Sequence, residues 1–323
     1  MSGVSKVVRR LRIPLVVLLV AVAGLWLGNN STLVTSDDEP LLLAHRGLAQ
    51  TFDVSRVQAD TCTAQVILPP EHAYLENTLD SMRAAFDAGA DVVEFDVKLT
   101  RDGQLAVFHD AVLECRTDTT GTVAEHTMNE LRKLDIGYGY TADGGATYPF
   151  RGKGVGLMPA APEVLDAFAG RELLIHLKND NSADGEALAE LLAERPHQQL
   201  TVYGEDTAVA AFHTALPEVR ATSKAMMKNC LLRYESTGWT GHVPDACRNT
   251  QLHLPARYGR WLWGWPNRFA NRMAEAGTRV ILVADGGDYS AGFDTPETLR
   301  QIPKNWPGGI WTNRIDVAAP LTS

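Results

Sequence analysis

Short apolar runs alternate along this chain with longer stretches in which apolar residues return every three or four positions. The short runs fall at 41–44, 92–99, 105–108, 173–178, 200–203, 219–222, 250–254, 279–284 and 309–311, and the pattern predicts strands there. Helical spacing marks 79–88, 162–168, 183–194, 207–214, 225–233, 267–276 and 295–302. Asn77 or Thr78 is placed to cap the first of these helices, and Gly89 and Gly277 close two of them. Apolar strands alternating with helices predict a parallel sheet covered on both faces, and their number points to an α/β protein, a (β/α)8 TIM barrel. Nine strands are one more than that barrel needs. One of them, with 250–254 as the candidate, is expected outside it.

Two stretches break the pattern. Residues 50–70 read as a long irregular loop, and 113–158 as a Gly- and Tyr-rich excursion over the surface, a small insertion after the third strand. At the N-terminus Lys6, Arg9, Arg10 and Arg12 precede an apolar run at 13–28, and Asp37, Asp38 and Glu39 follow it. The charge order predicts a basic cytoplasmic segment (1–12), a transmembrane anchor or uncleaved signal (13–30), a linker (31–40) and a folded domain (41–323) outside the cytoplasm. An exported location allows Cys230 to pair with Cys247 and Cys62 with Cys115. No two of the four cysteines have the close spacing of a Cys-based zinc site. Apolar residues make up 45% of the chain and charged ones 21%, as in globular proteins. A net charge of −9 excludes a broad nucleic-acid surface, so an anionic ligand needs a local cation.

Candidate chemistry gathers at the strand ends. Glu94 and Asp96 are two residues apart, so a strand aims both to one side, between apolar neighbours that leave neither face polar. Carboxylates brought together in such surroundings need a cation between them. They are hard oxygen ligands suited to Mg²⁺ or Ca²⁺. His109 and Asp110 end the next run, His45 and Arg46 end the first, and His176 and Lys178 alternate near the end of 173–178. In a (β/α)8 barrel such ends meet at one mouth. Arg46 and Lys178 suit a phosphate, and His45 and His109 suit paired acid–base work. Together these groups describe phosphodiester cleavage. No nucleophile elbow, dinucleotide fingerprint or P-loop is present.

The runs HRG at 45–47, ENT at 76–78, EFD at 94–96, TRDGQLAVFHD at 100–110, MPAAPEVL at 158–165 and GIWTNRID at 309–316 resemble, in order, the glycerophosphodiester phosphodiesterase family. The resemblance implies a TIM barrel with an insertion, a divalent metal on Glu94 and Asp96, and His45 and His109 as the acid–base pair. It also implies cleavage of a glycerol or lipid-derived phosphodiester to a phosphomonoester and an alcohol. Where the family reads Glu-x-Lys this chain has His176 and Lys178, so the third metal ligand is expected to be His176, with preference moved towards Mn²⁺ or Zn²⁺. The family's Trp-Thr-x-Asn strand end is expected to be replaced by ILVADG at 281–286. Glu76 and Asp110 are expected to support the site, Asp285 and Asp288 to cap a loop near the mouth, and WLWGWP at 261–266 to form an apolar lip, a core contact or a membrane-surface contact. Two further readings stay open on the same fold: phospholipase D-like hydrolysis of lysophospholipids or related lipids such as sphingolipids, and a catalytically inactive phosphodiester- or lipid-binding protein.

Overall fold

The computed structural model describes residues 2–34, 39–57, 61–195, 199–285 and 291–322, and the side chains of all of these except 2–15 and 55. Its sheet has nine strands: β1 (Leu41–Ala44), β2 (Val92–Leu99), β3 (Leu105–Val107), β4 (Glu172–Leu177), β5 (Leu200–Gly204), β6 (Arg220–Ser223), β7 (Gln251–Pro255), β8 (Arg279–Val283) and β9 (Gly309–Thr312). Eight run parallel in the order β6-β5-β4-β2-β1-β9-β8-β7. The ring is nearly closed, and at the gap between β6 and β7 Thr250 Oγ1 donates to the carbonyl of Ala221 at 2.7 Å. This is a TIM barrel, with a helix following each barrel strand.

The ninth strand is not the one the pattern singled out. Residues 250–254 supply β7, a barrel strand paired with β8. The extra strand is β3, which turns back through 100–104 and pairs antiparallel with β2, Val97 opposite Val107. Apolar content cannot separate the two cases, because both strands are buried. What separates them is the tight turn after β2, too short for the crossover a parallel neighbour needs.

Alternation along each barrel strand divides the core in two. Leu43, Val92, Leu174, Ile281 and Trp311 fill the barrel. Their neighbours Val93, Phe95, Val97, Leu173, Ile175 and Leu177 pack outward under the helices. A third cluster lies outside both. Leu113, Met128, Leu131, Tyr140, Phe150 and Met158 of the insertion pack on Ala106 and Phe108, giving residues 113–158 their own core.

Both expected disulfides form, Cys62 with Cys115 and Cys230 with Cys247. The first ties the 50–70 loop to the insertion. Behind it the buried Arg116 pairs with Asp110, donates to Thr63 Oγ1 at 2.6 Å and to the Tyr140 hydroxyl, and lies 3.2 Å from Glu76 Oε1. A helix, Ser2–Asn29, precedes the barrel, and residues 16–27 of it are exposed. Among the described residues no helix is long and apolar enough to cross a membrane. The expected anchor at 13–30 lies partly outside the residues whose side chains are described, and the structure lends it no support.

Two outcomes follow for stability. The Cys62–Cys115 link closes a loop of 53 residues, so C62A/C115A should lower unfolding free energy by about 4 kcal/mol on chain-entropy grounds, measured by denaturant titration. Arg116→Met leaves Asp110 and Glu76 buried without their partner and should cost about 3–5 kcal/mol. Burial opposes the Asp110 charge, but Arg116 and the hydrogen bond from His109 outweigh it and hold Asp110 well below the usual carboxylate range. A carboxylate depressed in this way stabilises the fold above its unfolded pKa of about 3.9 and loses that contribution as pH falls. The Arg116→Met deficit should therefore shrink below about pH 4.

Candidate active site

The same alternation that builds the core carries polar side chains to the mouth. Glu94 and Asp96 continue the inward face that starts at Val92, and His176 continues the one that starts at Leu174. His109 arrives by a different route. The β3 hairpin returns the chain towards the barrel, Phe108 N donates to Asp96 O at 3.1 Å, and His109 follows. Seven expected residues are thereby brought together: His45, Arg46, Glu94, Asp96, His109, His176 and Lys178. Five of them, His45, Arg46, His109, His176 and Lys178, line a cavity of about 600 Å³, and Glu94 and Asp96 lie buried against these.

Glu94, Asp96 and His176 each offer a ligand atom, all within 4.8 Å of one another. Both carboxylates are fully buried. His176 Nδ1 lies 2.9 Å from Asp96 Oδ1 and 3.6 Å from Glu94 Oε1. Tyr203 donates its hydroxyl to Glu94 Oε1 at 2.7 Å and stacks its ring on His176 at 4.0 Å. Arg46 N donates to Glu94 Oε2 at 3.0 Å, and Asn77 donates to Asp96 Oδ2 at 2.8 Å. Two carboxylates and an imidazole converging in a buried site are a donor set for a divalent cation. Burial and the neighbouring Asp96 charge both raise the Glu94 pKa. Burial also opposes the Asp96 charge, but His109, Arg46, His176 and Lys178 outweigh it and hold Asp96 well below its usual range.

Backbone shape places the cations. Arg46 and Gly47 have φ of 59° and 79°, and a Cβ on Gly47 would lie 2.6 Å from Ser81 Oγ, so the HRG turn closes on the ENT helix only with glycine there. Thr78 is the N-cap of the helix Leu79–Asp87, and Asn77, at φ 58°, is freed to hold Asp96. Arg46 donates to Glu76 at 3.1 Å. Its Nε is buried without a hydrogen bond, 3.4 Å from Asp96 Oδ2. Lys178 Nζ lies 3.9 Å from Asp96 Oδ1. A buried guanidinium with an unused donor beside this cavity is a place for a phosphate oxygen.

The two histidines stand on separate supports. His45 Nδ1 lies 2.6 Å from Asn313 Oδ1, and Asn313 donates to Asp294 at 2.7 Å, while His45 Nε2 lies 4.0 Å from Glu94. His109 Nδ1 lies 2.9 Å from Asp110 Oδ1. Burial first, and Arg46 second, lower both imidazoles: His45 falls well below its ordinary range and His109 to about 4. Both are neutral near pH 7, with Nδ1 engaged and Nε2 left for a proton.

Several expectations are redrawn. Ile281–Val283 of the ILVADG run belong to β8, and Trp311 and Thr312 end β9, with Asn313 following. Glu76 pairs with Arg46 and Arg116 and Asp110 with His109 and Arg116, both one layer behind the cavity. Asp285 accepts from Arg257 N at 3.3 Å, and Asp288 lies outside the described residues. The tryptophans at 261, 263 and 265 do not line the cavity, and Trp265 packs on Phe269 and Trp306. Sequence reasoning passed over Asn77, Arg116, Tyr203 and Asn313. For Tyr203 strand parity was a usable signal, and for Asn77 and Asn313 the ENT and WTN runs were, whereas nothing local marks Arg116.

The sequence profile of the glycerophosphoryl diester phosphodiesterase family matches residues 34–204. A glycerophosphodiester phosphodiesterase of Bacillus altitudinis is 36% identical over 109 residues, 33% of this chain and 41% of that protein. The chain thus spans about two fifths of the length of such curated relatives. Among solved structures, the glycerophosphoryl diester phosphodiesterase domain of a Mycobacterium tuberculosis protein superposes with a TM-score of 0.60 at 17% identity, over 88% of this chain and 98% of that one. An Oleispira antarctica phosphodiesterase, solved in complex with its product sn-glycerol-3-phosphate, superposes with a TM-score of 0.56 at 18% identity, over 88% and 96% of the two chains. At these identities the structural likeness concerns the fold. The profile match covers more than half of the 323 residues, and the chain belongs to the glycerophosphoryl diester phosphodiesterase family.

Proposed function

We propose that this barrel is a divalent-metal-dependent hydrolase of glycerophosphodiesters, releasing a phosphomonoester and an alcohol. The observation that carries the reading is the convergence of the Glu94–Asp96–His176 cluster, two neutral histidines and the Arg46 and Lys178 cations on one cavity. The product complex of the Oleispira relative supports a glycerol phosphate as the ligand class. Glu94, Asp96 and His176 would hold the ion, which when bound draws charge off phosphate oxygens and lowers the pKa of a hydroxyl. Arg46 and Lys178 bind the phosphate oxygens and take up the charge that develops on them. Asn313 fixes the His45 tautomer with Nδ1 donating, so Nε2 accepts a proton from the attacking hydroxyl. Asp110 orients His109, and the arriving phosphate offsets the Arg46 charge that adds to burial in holding its pKa down, so that His109 takes up a proton from solvent at Nε2 and passes it to the departing alkoxide.

His176 sets the metal preference in this reading. An imidazole in place of a carboxylate removes one negative charge and adds a nitrogen donor, which favours Mn²⁺ or Zn²⁺ over Mg²⁺ or Ca²⁺. The two disulfides and the basic-then-apolar N-terminus support residence outside the cytoplasm, with residues 13–30 as the attachment to the membrane.

The central test is hydrolysis of glycerophosphocholine by the oxidised protein with each of the four metals. Turnover is expected with at least one, and H45A and H109A should each lower kcat/KM by about 10²–10⁴. No turnover with any metal overturns the reading. His176→Glu should raise the affinity for Mg²⁺ or Ca²⁺ in calorimetric titration and weaken that for Zn²⁺. Unchanged affinities would remove His176 from the metal shell.

A further inference from the structure

One segment of the domain departs from the acidic character of the rest. The whole chain has 30 Lys and Arg against 39 Asp and Glu, yet between residues 224 and 272 it has eight against two. This segment begins at the cavity, where Lys224 and Arg257 form part of the wall. It then leads away along the helix Lys224–Thr237. Lys224, Lys228, Leu232 and Trp239 recur at spacings that keep them on one side of that helix and its 3-10 continuation, and all four are exposed. At the far end aromatic side chains collect. Trp239 is 50% exposed and Trp261 65%. Trp263 donates to the Glu235 carbonyl at 2.9 Å, which seats it against the last turn of the helix, and Arg260 lies 5.2 Å over the Trp261 ring.

The N-terminal helix ends at this same place. Asn29 donates to the Trp239 carbonyl at 2.9 Å, and Arg272 holds the Gly28 carbonyl at 2.8 Å and Asn29 Oδ1 at 3.1 Å. Trp26, one turn earlier, is 60% exposed. Exposed tryptophans interleaved with Lys and Arg are the side chains that partition into the headgroup layer of a bilayer, rings among the glycerol backbones and cations on the phosphates.

From this we infer that the face bearing Lys228, Leu232, Trp239, Arg260, Trp261 and Trp263 is a docking surface for an anionic phospholipid bilayer. Its basic rim sets the mouth of the cavity, at Lys224 and Arg257, beside the headgroups. A neutral or apolar protein partner would offer Lys228 and Arg260 no opposite charge, whereas anionic headgroups supply it. The inference is independent of the hydrolytic reading, because it concerns where the domain sits and not what it cleaves.

The test is tryptophan quenching in the full chain by brominated phospholipid, with vesicles of phosphatidylcholine alone or with 30% phosphatidylglycerol. In the anionic vesicles a substantial share of the quenching should disappear in W261F/W263F, although Trp26 and five tryptophans in all remain. K228Q/R260Q should need about 30-fold more anionic lipid for half-maximal quenching. Far-UV circular dichroism and turnover of soluble glycerophosphocholine should stay unchanged in both variants. Quenching unaltered by W261F/W263F overturns the inference. So does a wild-type dimer that W261F/W263F dissociates, since the face would then be covered by a second copy. If turnover is absent while the quenching pattern holds, the hydrolytic reading fails and the docking surface stands.

Discussion

The structure turns on a pair of carboxylates that have no access to bulk water. Glu94 and Asp96 lie on the inward face of β2, fully buried, one strand repeat apart. Like charges so close in a low-dielectric interior cost several kcal/mol unless donors or cations surround them. Four elements at the mouth contribute to that compensation. The HRG turn brings a backbone N–H and a guanidinium, the segment before the helix Leu79–Asp87 brings Asn77, β4 brings His176 and Lys178, and β5 brings the Tyr203 hydroxyl. The left-handed conformations at Arg46 and Asn77 are tolerated because each side chain then reaches a carboxylate or its neighbour.

A second buried ion network lies behind the first and explains how the insertion is held. Arg116, from the insertion, meets Asp110 from the β3 end and Glu76 from the loop before the helix Leu79–Asp87, and Glu76 in turn meets Arg46. Arg46 therefore spans both networks. The Cys62–Cys115 link crosses the same region, so the insertion is fastened to the barrel covalently and by charge at the edge of the cavity. Asp110 orients His109 from one side while answering Arg116 from the other, which couples insertion docking to the orientation of an imidazole at the mouth.

Much of this was legible in the sequence, for reasons that are local. Strand parity made Glu94 and Asp96 a pair, and polar residues at successive strand ends named the mouth. What was misread depended on pairing partners far away in the chain. The choice between 250–254 and 105–108 is the exception, since the tight turn between β2 and β3 decides it locally. The role of Asn313 depends on His45, 268 residues away, and that of Tyr203 on Glu94, 109 residues away. Arg116 sits in a segment without periodicity, where no pattern separates a buried cation from a solvated one.

Charge accounting gives His176 a meaning beyond substitution of one ligand for another. In the two linked buried networks Glu76, Glu94, Asp96 and Asp110 oppose Arg46, Arg116 and Lys178, a formal sum of one negative charge. On the proposed reading a divalent ion turns this to one positive charge, and a phosphodiester monoanion brings it to zero. A glutamate at position 176, as in the family pattern this chain otherwise resembles, would leave the occupied site with one negative charge. In a buried cavity an uncompensated charge is expensive. On the proposed reading the imidazole would give up some hold on a hard cation and in return let the site reach neutrality when a singly charged phosphodiester is in place, so that one side chain would govern both metal choice and anion binding.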